Sequence, residues 1–190
     1  MTGANKTVLI TGSNRGIGLE FVRQYSDASF NVIATCRRPT EAENLQRLSK
    51  ERENISIQSL DITNEKSINA LHSMLENKSI DILINNAAFL GPPESQKFGE
   101  IDYEIFKRSF EVNAIGPIRI TEKLIENVRK GTDKKVIFMG SAAGSISTIT
   151  PPVTLYSYRS SKAALHLAVH NLFHQLKEEN IFVSLINPGL

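Results

Sequence analysis

A tyrosine and a lysine four residues apart, Tyr158 and Lys162, form a pair suited to acid–base chemistry. In a helix, residues with this spacing lie on one face, one turn apart. A phenol with a pKa of about 10 is a weak acid–base group at neutral pH, but a nearby ammonium stabilises its phenolate. Such a pair could exchange a proton with a carbonyl oxygen, although the same spacing also occurs in ordinary surface pairs. The competing tyrosine, Tyr156, has Ser160 four residues on and no lysine.

A glycine-rich segment, residues 11–18 with the sequence TGSNRGIG, is the second candidate site. It follows a strand-like apolar run and precedes a helical one, which is the context of a dinucleotide-binding loop. Gly12 would permit the tight turn, while Gly16 and Gly18 would let the backbone and the helix N-terminus approach a pyrophosphate. A plain glycine-rich turn is the alternative. The loop residues predicted to bind the cofactor are Gly12, Ser13, Asn14, Arg15, Gly16, Ile17 and Gly18.

The end of the second predicted strand bears on the choice of cofactor. In NAD sites an acidic residue about 20 positions further on binds the ribose hydroxyls, but here the sequence reads Cys36-Arg37-Arg38. Guanidinium groups suit bidentate contact with a 2′-phosphate, and Arg15 could add another cation. The alternative for Arg37 and Arg38 is a solvated turn. We expect NADP(H) rather than NAD(H), with Cys36 as a small neutral residue in the position of the acid.

Three histidines that recur every four residues, His166, His170 and His174, raise metal binding as a hypothesis. No Cys, Asp or Glu joins them within that stretch. Each four-residue step turns by about 40° around a helix, so His174 would face away from Tyr158. We therefore expect no metal, and we interpret the histidines as part of a polar helix face or a helix-packing surface.

The elements that must position these residues alternate along the chain, with short β-branched apolar runs between segments of helical periodicity. Strands that are apolar along their length are typical of a parallel sheet buried on both faces. The predicted fold is α/β, one domain over 1–190 with a Rossmann-type doubly wound parallel sheet and helices on both faces. The predicted strands span 7–11, 31–35, 56–60, 80–85, 135–139 and 182–186, and the predicted helices 15–28, 40–51, 65–77, 103–130 and 156–179.

The composition is that of an ordinary globular protein, with 41% hydrophobic and 22% charged residues. Because 22 Lys and Arg oppose 20 Asp and Glu, the net charge is +2, and we expect no nucleic-acid partner. The apolar runs fall short of the roughly 18 residues of a membrane helix, so we expect no membrane span. A single cysteine, Cys36, and the lack of an apolar signal segment before the first strand lead us to expect a cytoplasmic protein.

Seven motifs in a fixed order make the whole chain resemble the short-chain dehydrogenase/reductase family. They are 11–18, Asp61-Ile62, Asn85-Asn86-Ala87-Ala88, Asn113-Ala114-Ile115-Gly116, Gly140-Ser141, Tyr158-x-x-x-Lys162 and Pro188-Gly189. Residues 144–146 and 156–165 are most similar to the sniffer-type carbonyl reductases and the C-factor-like branch near them. The resemblance implies a small carbonyl or alcohol substrate and a homodimer or homotetramer.

The same resemblance implies a catalytic set of Asn113, Ser141, Tyr158 and Lys162. Tyr158 would donate the proton to the substrate oxygen, and Ser141 would hold that oxygen by a hydrogen bond. Lys162 would bind the nicotinamide ribose and favour the ionised form of Tyr158. Asn113 would anchor a water that relays protons to Lys162.

Several of these assignments have rivals. Ser145 or Ser147 could replace Ser141, although only Ser141 directly follows the fifth predicted strand. Asn113 could instead be a helix-interior residue that hydrogen-bonds its own backbone. Asp61, which would meet the adenine edge, could serve the start of the next helix as well or instead.

Further cofactor-binding residues are implied by the resemblance alone: Asp61, Ile62, Asn86, Ala87, Ala88, Pro188 and Gly189, together with Tyr158 and Lys162. Ala88 stands where the family usually has glycine, and we expect its methyl group to be tolerated. Family members continue beyond the motif at Pro188-Gly189. We therefore expect the sixth strand to form a sheet edge and the substrate pocket to be partly open.

The predicted function is hydride transfer from NADPH to an aldehyde or ketone, reversible with the alcohol, with Tyr158 as the general acid and base. The alternative is a non-catalytic NADP-binding regulatory or signalling module of the same fold. An NAD-dependent alcohol dehydrogenase is disfavoured by Cys36 and Arg37. Phe89, Leu90 and Ile149, near the expected site, favour a substrate with a hydrophobic body.

Overall fold

A single parallel sheet contains the six strands, of which β1 to β6 in chain order are Thr7–Thr11, Asn31–Cys36, Ile55–Ser59, Ile82–Asn85, Lys135–Met139 and Phe182–Ile186. The computed structural model describes residues 6–148 and 153–189. The strand order is β3-β2-β1-β4-β5-β6, and every neighbouring pair is parallel. The doubly wound α/β sheet predicted from the sequence is confirmed, and its connections reverse direction between β1 and β4.

Helices cover both faces of this sheet, as the alternating pattern predicts. The α-helices of the described ranges are α1 Gly16–Asp27, α2 Glu43–Glu51, α3 Glu65–Leu75, α4 Tyr103–Phe110, α5 Gly116–Arg129 and α6 Tyr156–Leu176. On one face, Val22 of α1 and Leu45 of α2 are buried in a core cluster with β1, β2 and β4. On the other face, Leu71 of α3, Leu124 of α5 and Leu165 of α6 belong to the second cluster. None of these helices is long and apolar enough to cross a membrane.

Alternation along β1 shows why its residues are apolar without interruption. Val8 and Ile10 belong to the cluster under α1 and α2, whereas Leu9 between them belongs to the opposite cluster. Side chains of a strand point to its two faces in turn, and both faces of this strand are covered. All three side chains are fully buried.

The helix predicted over 103–130 is interrupted, because a π-helical segment, Glu111–Ile115, separates α4 from α5. The N–H of Gly116 donates to the carbonyl of Glu111, five residues earlier. Pro117 has no N–H, so it cannot donate to the carbonyl of Asn113 as a regular helix would require. A Cβ on Gly116 would lie 2.9 Å from the side chain of Ile62, so glycine lets this segment approach the loop after β3.

Asp81 joins neighbouring strands at the amino ends of the sheet, the end opposite the candidate site. Its carboxylate accepts hydrogen bonds from the N–H of Thr7 at 2.7 Å and of Thr132 at 2.7 Å. Burial by itself raises the pKa of Asp81, but these N–H groups and the charge of Lys6 outweigh burial and lower it. The ionised carboxylate therefore stabilises this end of the sheet.

The sixth strand lies at one edge of the described sheet, as expected, and β3 lies at the other. Phe182, Leu185 and Ile186 of β6 are exposed. Val183 of the same strand is buried in the cluster with α6, so β6 is covered on one face better than on the other.

Candidate active site

A cleft of about 1350 Å³ runs along the loops that follow β1, β2, β3 and β4. Doubly wound sheets bind dinucleotides at this end, next to the point where the connections reverse direction. The predicted cofactor residues that line it are Gly12, Asn14, Arg15, Gly16, Ile17, Gly18, Arg37, Asp61, Ile62, Asn86, Ala87 and Ala88. Those that do not line it are Ser13, Arg38, Tyr158, Lys162, Pro188 and Gly189. Pro188 and Gly189 are exposed after β6, and Ile149 lies outside the described residues.

The three glycines of the loop after β1 have different structural roles. Gly12 has a φ of +70°, and a Cβ there would lie 2.8 Å from the Cα of Ala87. A Cβ on Gly18 would collide with the carbonyl oxygen of Gly12, so this glycine lets α1 pack against the loop rather than giving a ligand access. Gly16, with a φ of +55°, would place a Cβ in open space. Arg15 provides no side-chain cap for α1, which leaves the first N–H groups of the helix available to an anion.

The loop after β4 is bonded directly to the glycine loop. The hydroxyl oxygen of Thr11 accepts hydrogen bonds from the N–H of Asn86 at 3.0 Å and of Ala87 at 3.1 Å. In return, the amide of Asn86 donates to the carbonyls of Thr11 at 2.9 Å and Gly12 at 3.1 Å. Ser13 is buried and donates to the carbonyl of Ile10 at 2.8 Å, so its side chain stabilises the loop from within.

The two arginines after β2 differ in their surroundings. Arg37 lines the cleft, as does Arg15 of the glycine-rich loop. Arg38 instead forms an ion pair with Glu41 at 3.1 Å, and its side chain is 75% exposed. Burial raises the pKa of the Cys36 thiol, so this residue is a neutral part of the wall.

Asp61 shapes the turn after β3. Its Oδ1 accepts hydrogen bonds from the N–H of Thr63 at 2.9 Å and from the hydroxyl of Thr63 at 2.7 Å. The cap of α3 is Asn64, whose side chain accepts from the N–H of Ser67 at 3.1 Å. Asp61 thus lies at the cleft, while Asn64, three residues later, caps α3.

One face of α4 and the start of the π-helical segment contribute charged residues to the cleft that the sequence motifs did not include. Glu104, Lys107, Arg108 and Glu111 line it together with Arg119 of α5. The guanidinium of Arg108 lies 4.5 Å from the centroid of the Phe89 ring. The spacing of these charges, three or four residues apart on one helix face, was the only sequence signal for them. It is a weak signal, because charged helix faces of this kind usually point to solvent.

Lys162 is buried beneath Tyr158 on α6. Its side chain is only 2% exposed, and its Nζ donates a hydrogen bond to the carbonyl of Met139, at the end of β5, at 2.7 Å. The same nitrogen lies 5.8 Å from the centroid of the Tyr158 ring. Burial lowers the pKa of Lys162 to about 8, because the charged form loses hydration.

Ser141 follows β5 and begins a short turn. Its hydroxyl oxygen accepts a hydrogen bond from the N–H of Ala143 at 3.1 Å. The rival serines, Ser145 and Ser147, are hydrogen-bonded to each other at 3.1 Å in an exposed position. Ser141 therefore lies at the carboxyl end of β5, while its rivals lie beyond the short turn that follows it.

Asn113 lies in the π-helical segment and is fully buried. Its Oδ1 accepts from the N–H of Phe89 at 2.7 Å, and its Nδ2 donates to the carbonyl of Phe89 at 2.7 Å and to the hydroxyl of Ser161 at 3.0 Å. These bonds reach the loop after β4 and α6, not the backbone of its own helix. Since Phe89 lines the cleft, Asn113 connects the cleft wall to the helix that carries Tyr158.

The three histidines of α6 are divided between two sites. His166 accepts a hydrogen bond from the N–H of Ser141 at 3.4 Å, and burial together with the charge of Lys162 lowers its pKa. His170 and His174 are hydrogen-bonded to each other through their Nε2 atoms at 3.3 Å, in exposed positions. Within 6–148 and 153–189, no three His, Cys, Asp or Glu side chains are grouped to hold a metal ion.

Comparison with known proteins identifies relatives over almost the whole chain. An uncharacterized oxidoreductase of Schizosaccharomyces pombe is 31% identical over 196 residues, which cover 100% of this chain and 75% of that protein. The crystal structure of NADPH-bound carbonyl reductase from chicken fatty liver is 28% identical, with a TM-score of 0.86 over 97% of this chain and 76% of that one.

The resemblance to two related branches is also confirmed. The carbonyl reductase Sniffer of D. melanogaster is 26% identical, with a TM-score of 0.83 over 98% of this chain and 81% of its own. The C-signal protein of Myxococcus xanthus is 36% identical over 110 residues, 58% of this chain and 64% of that protein. The family model described as short chain dehydrogenase matches residues 6–190. The chain therefore belongs to the short chain dehydrogenase family of oxidoreductases.

Proposed function

We propose that the protein reduces an aldehyde or ketone with NADPH and oxidises the corresponding alcohol when NADP⁺ prevails. The observation that carries the proposal is the buried ammonium of Lys162, which lies between the end of β5 and the ring of Tyr158. Burial of a lysine charge costs free energy, so a lysine at this position would not be expected if the helix served only the stability of the fold. Beside a phenol, that charge stabilises the phenolate left when Tyr158 gives up its proton.

The cleft residues fit a phosphorylated dinucleotide. The uncapped N-terminus of α1 and the open space at Gly16 would receive the pyrophosphate, and Asp61 would contact the adenine edge. Arg37 and Arg15 would bind the 2′-phosphate, where an NAD site would need a carboxylate. When bound, the nicotinamide supplies the hydride. The relative from chicken fatty liver, crystallised with NADPH, supports the same choice.

Three residues at the carboxyl end of β5 would handle the proton. The hydroxyl of Tyr158 donates to the substrate oxygen, and the hydroxyl of Ser141 holds that oxygen and stabilises its developing negative charge. Lys162 then stabilises the phenolate. Because burial lowers the pKa of Lys162 to about 8, this lysine can itself release and regain a proton near neutral pH.

Asn113 would hold the water that returns protons to Lys162. All three side-chain hydrogen bonds of Asn113 are made to Phe89 and Ser161, so its main-chain carbonyl is the atom left for a water. Pro117, four residues later, has no N–H to occupy that carbonyl. The π-helical segment would thus give Asn113 two roles, with the side chain fixing the cleft wall and the main-chain carbonyl holding the water of the relay.

The substrate would have a hydrophobic body next to its carbonyl group. Phe89 lines the cleft, and Leu90 after it is 49% exposed. An exposed apolar side chain beside a reaction site favours a ligand that covers it. Simple aromatic aldehydes, quinones and aliphatic ketones are therefore suitable first substrates.

The test is carbonyl-dependent oxidation of NADPH by the wild type and by two matched variants. Tyr158→Phe removes the proton donor and should lower kcat at least 1000-fold, while the Kd of NADPH stays within about threefold. Tyr156→Phe, two residues earlier on the same helix, should keep its activity. Saturable NADPH binding by a wild type that oxidises none of these substrates would contradict the proposal and favour a binding module.

A further inference from the structure

Gln96 is a fully buried polar residue that no motif singled out. Its Oε1 accepts a hydrogen bond from the main-chain N–H of Tyr158 at 2.9 Å. Its Nε2 donates to the carbonyls of Leu90 at 2.7 Å and Pro92 at 3.2 Å. One amide therefore connects the first turn of α6 to the segment 90–92, which follows the cleft residue Phe89.

The first turn of α6 lacks the cap that a helix of this length usually has. Leu155, at the N-cap position, has a left-handed φ of +62° and makes no side-chain hydrogen bond to the turn. Tyr158 is the third residue of the helix, and its N–H is one that an N-cap side chain normally satisfies. Gln96 supplies that acceptor from 62 residues away in the sequence.

The segment on the other side of Gln96 is held at two points. Asn113 binds both the N–H and the carbonyl of Phe89, while Gln96 binds the carbonyls of Leu90 and Pro92. Between them, Gly91 has a φ of +72°, and a Cβ there would lie 3.2 Å from the Nε2 of Gln96. A side chain at this position would be strained by the positive φ and would crowd the amide of Gln96, so the position favours glycine.

We infer that Gln96 is a positioning residue for the proposed reaction, because it fixes the backbone of Tyr158 relative to the segment 89–92 beside the substrate. Both buried amides reach α6, Gln96 at Tyr158 and Asn113 at Ser161. Small displacements of a proton donor lower the rate steeply, since catalysis depends on alignment with the substrate oxygen. The inference rests on the proposed function for its kinetic consequence, whereas the hydrogen bond to Tyr158 can be tested without substrate.

Two substitutions separate the contacts of Gln96. Gln96→Met has a similar size but loses all three hydrogen bonds, so kcat should fall at least tenfold, while the Kd of NADPH stays within twofold. Gln96→Glu keeps an acceptor for the N–H of Tyr158. Because this fully buried site favours the protonated carboxyl, its single O–H can donate to only one of the carbonyls of Leu90 and Pro92. This variant should keep kcat closer to the wild type and raise KM, because the segment beside the substrate loses one of its two bonds to residue 96.

Amide hydrogen exchange supplies a readout that needs no activity. The N–H of Tyr158 should exchange at least tenfold faster in Gln96→Met than in the wild type, and Gln96→Glu should restore its protection. Gln175→Met, an exposed change at the far end of α6, is the matched control and should alter neither exchange at Tyr158 nor kcat.

Unchanged exchange at Tyr158 in folded Gln96→Met, or a kcat within twofold of the wild type, would overturn the inference. If Gln96→Met does not fold, Gln96→Glu decides: KM and kcat both as in the wild type would overturn it. A wild type without carbonyl-dependent NADPH oxidation would refute the proposed function and the kinetic role. Hydrogen exchange would then still show whether Gln96 holds Tyr158.

Discussion

The positive charge of Lys162 is unfavourable because the residue is buried. Its pKa falls from 10.5 to about 8 in the folded chain, which corresponds to roughly 3 kcal/mol at neutral pH. Between these two values the unfolded chain binds the additional proton, so the free energy of unfolding rises with pH in this window. Below about pH 8 the folded chain carries the full cost of the buried charge.

Lys162→Met should therefore stabilise the protein in the absence of cofactor. At pH 7 we expect the free energy of unfolding to rise by about 1–3 kcal/mol, because the variant removes the buried charge but also the hydrogen bond to Met139. The gain should shrink as pH rises from about 8 towards 10.5, which denaturant unfolding at several pH values would measure. Lys66→Met, an exposed change on α3, is the control. A variant less stable than the wild type at pH 7 would contradict this account of Lys162.

Arg37 should decide the preference between the two nicotinamide cofactors. Arg37→Ala should weaken NADPH binding about 10- to 100-fold and NADH binding less than threefold, since only NADPH carries the 2′-phosphate. Arg38→Ala should have a smaller effect, because Arg38 is already paired with Glu41 outside the cleft. Fluorescence titration would measure these affinities, with the exposed Arg47→Ala as control. An equal loss for both cofactors in Arg37→Ala would refute the phosphate assignment.

At the scale of elements, the junction between β1 and β4 depends on one hydroxyl. Thr11→Val keeps the shape of the side chain but leaves the N–H groups of Asn86 and Ala87 without their acceptor. We expect the free energy of unfolding to fall by about 2–4 kcal/mol and NADPH to bind more weakly, because both cleft walls meet here. Thr35→Val removes a single donated bond, to the carbonyl of Ile10, and should cost less. Equal losses in the two variants, measured by urea unfolding, would contradict this role of Thr11.

The sequence predicts the strands better than the long helix before the fifth strand. β1 and β5 begin and end where predicted, because continuous apolar runs mark strands covered on both faces. The edge strand β6 also has its predicted bounds. The helical pattern over 103–130 gives no sign of the π-helical segment Glu111–Ile115. That interruption depends on Pro117 and on the contact of Gly116 with Ile62, a residue from a distant loop. Local periodicity cannot register a contact of this kind.

At the scale of the molecule, some residues of the candidate site could be predicted from the sequence and others could not. Motifs predict the cleft residues that follow each strand, because the sheet brings all strand ends together. They miss Gln96 and Arg108, whose roles depend on the meeting of segments far apart in sequence. Ser13 and Arg38 lie in the loops predicted to bind the cofactor, but neither lines the cleft. The buried hydroxyl of Ser13 donates to the carbonyl of Ile10, and Arg38 forms an ion pair with Glu41.

The two ends of the sheet have different roles. Asp81 stabilises the fold at the amino ends of the strands, and the proposed chemistry takes place at the carboxyl ends. Asp81→Ala, at the amino ends of the strands, should lower the free energy of unfolding by about 2–4 kcal/mol, because two strong main-chain bonds are lost. The Kd of NADPH should not change, since the cleft is at the other end. The stability difference from the wild type should be present above the ordinary carboxyl pKa and disappear as the pH falls through the lowered pKa of Asp81. Thermal unfolding from pH 2 to 7 would test this, and a weakened NADPH affinity would contradict the separation.

The central claim is that this chain builds a cleft selective for NADP(H), beside which Tyr158 acts. Calorimetric titration of the 190-residue protein with NADPH and, separately, with NADH tests it most directly. We predict one NADPH per chain, bound at least ten times more tightly than NADH. A cooperatively folded protein that binds neither cofactor, or that binds NADH as tightly as NADPH, would contradict the claim.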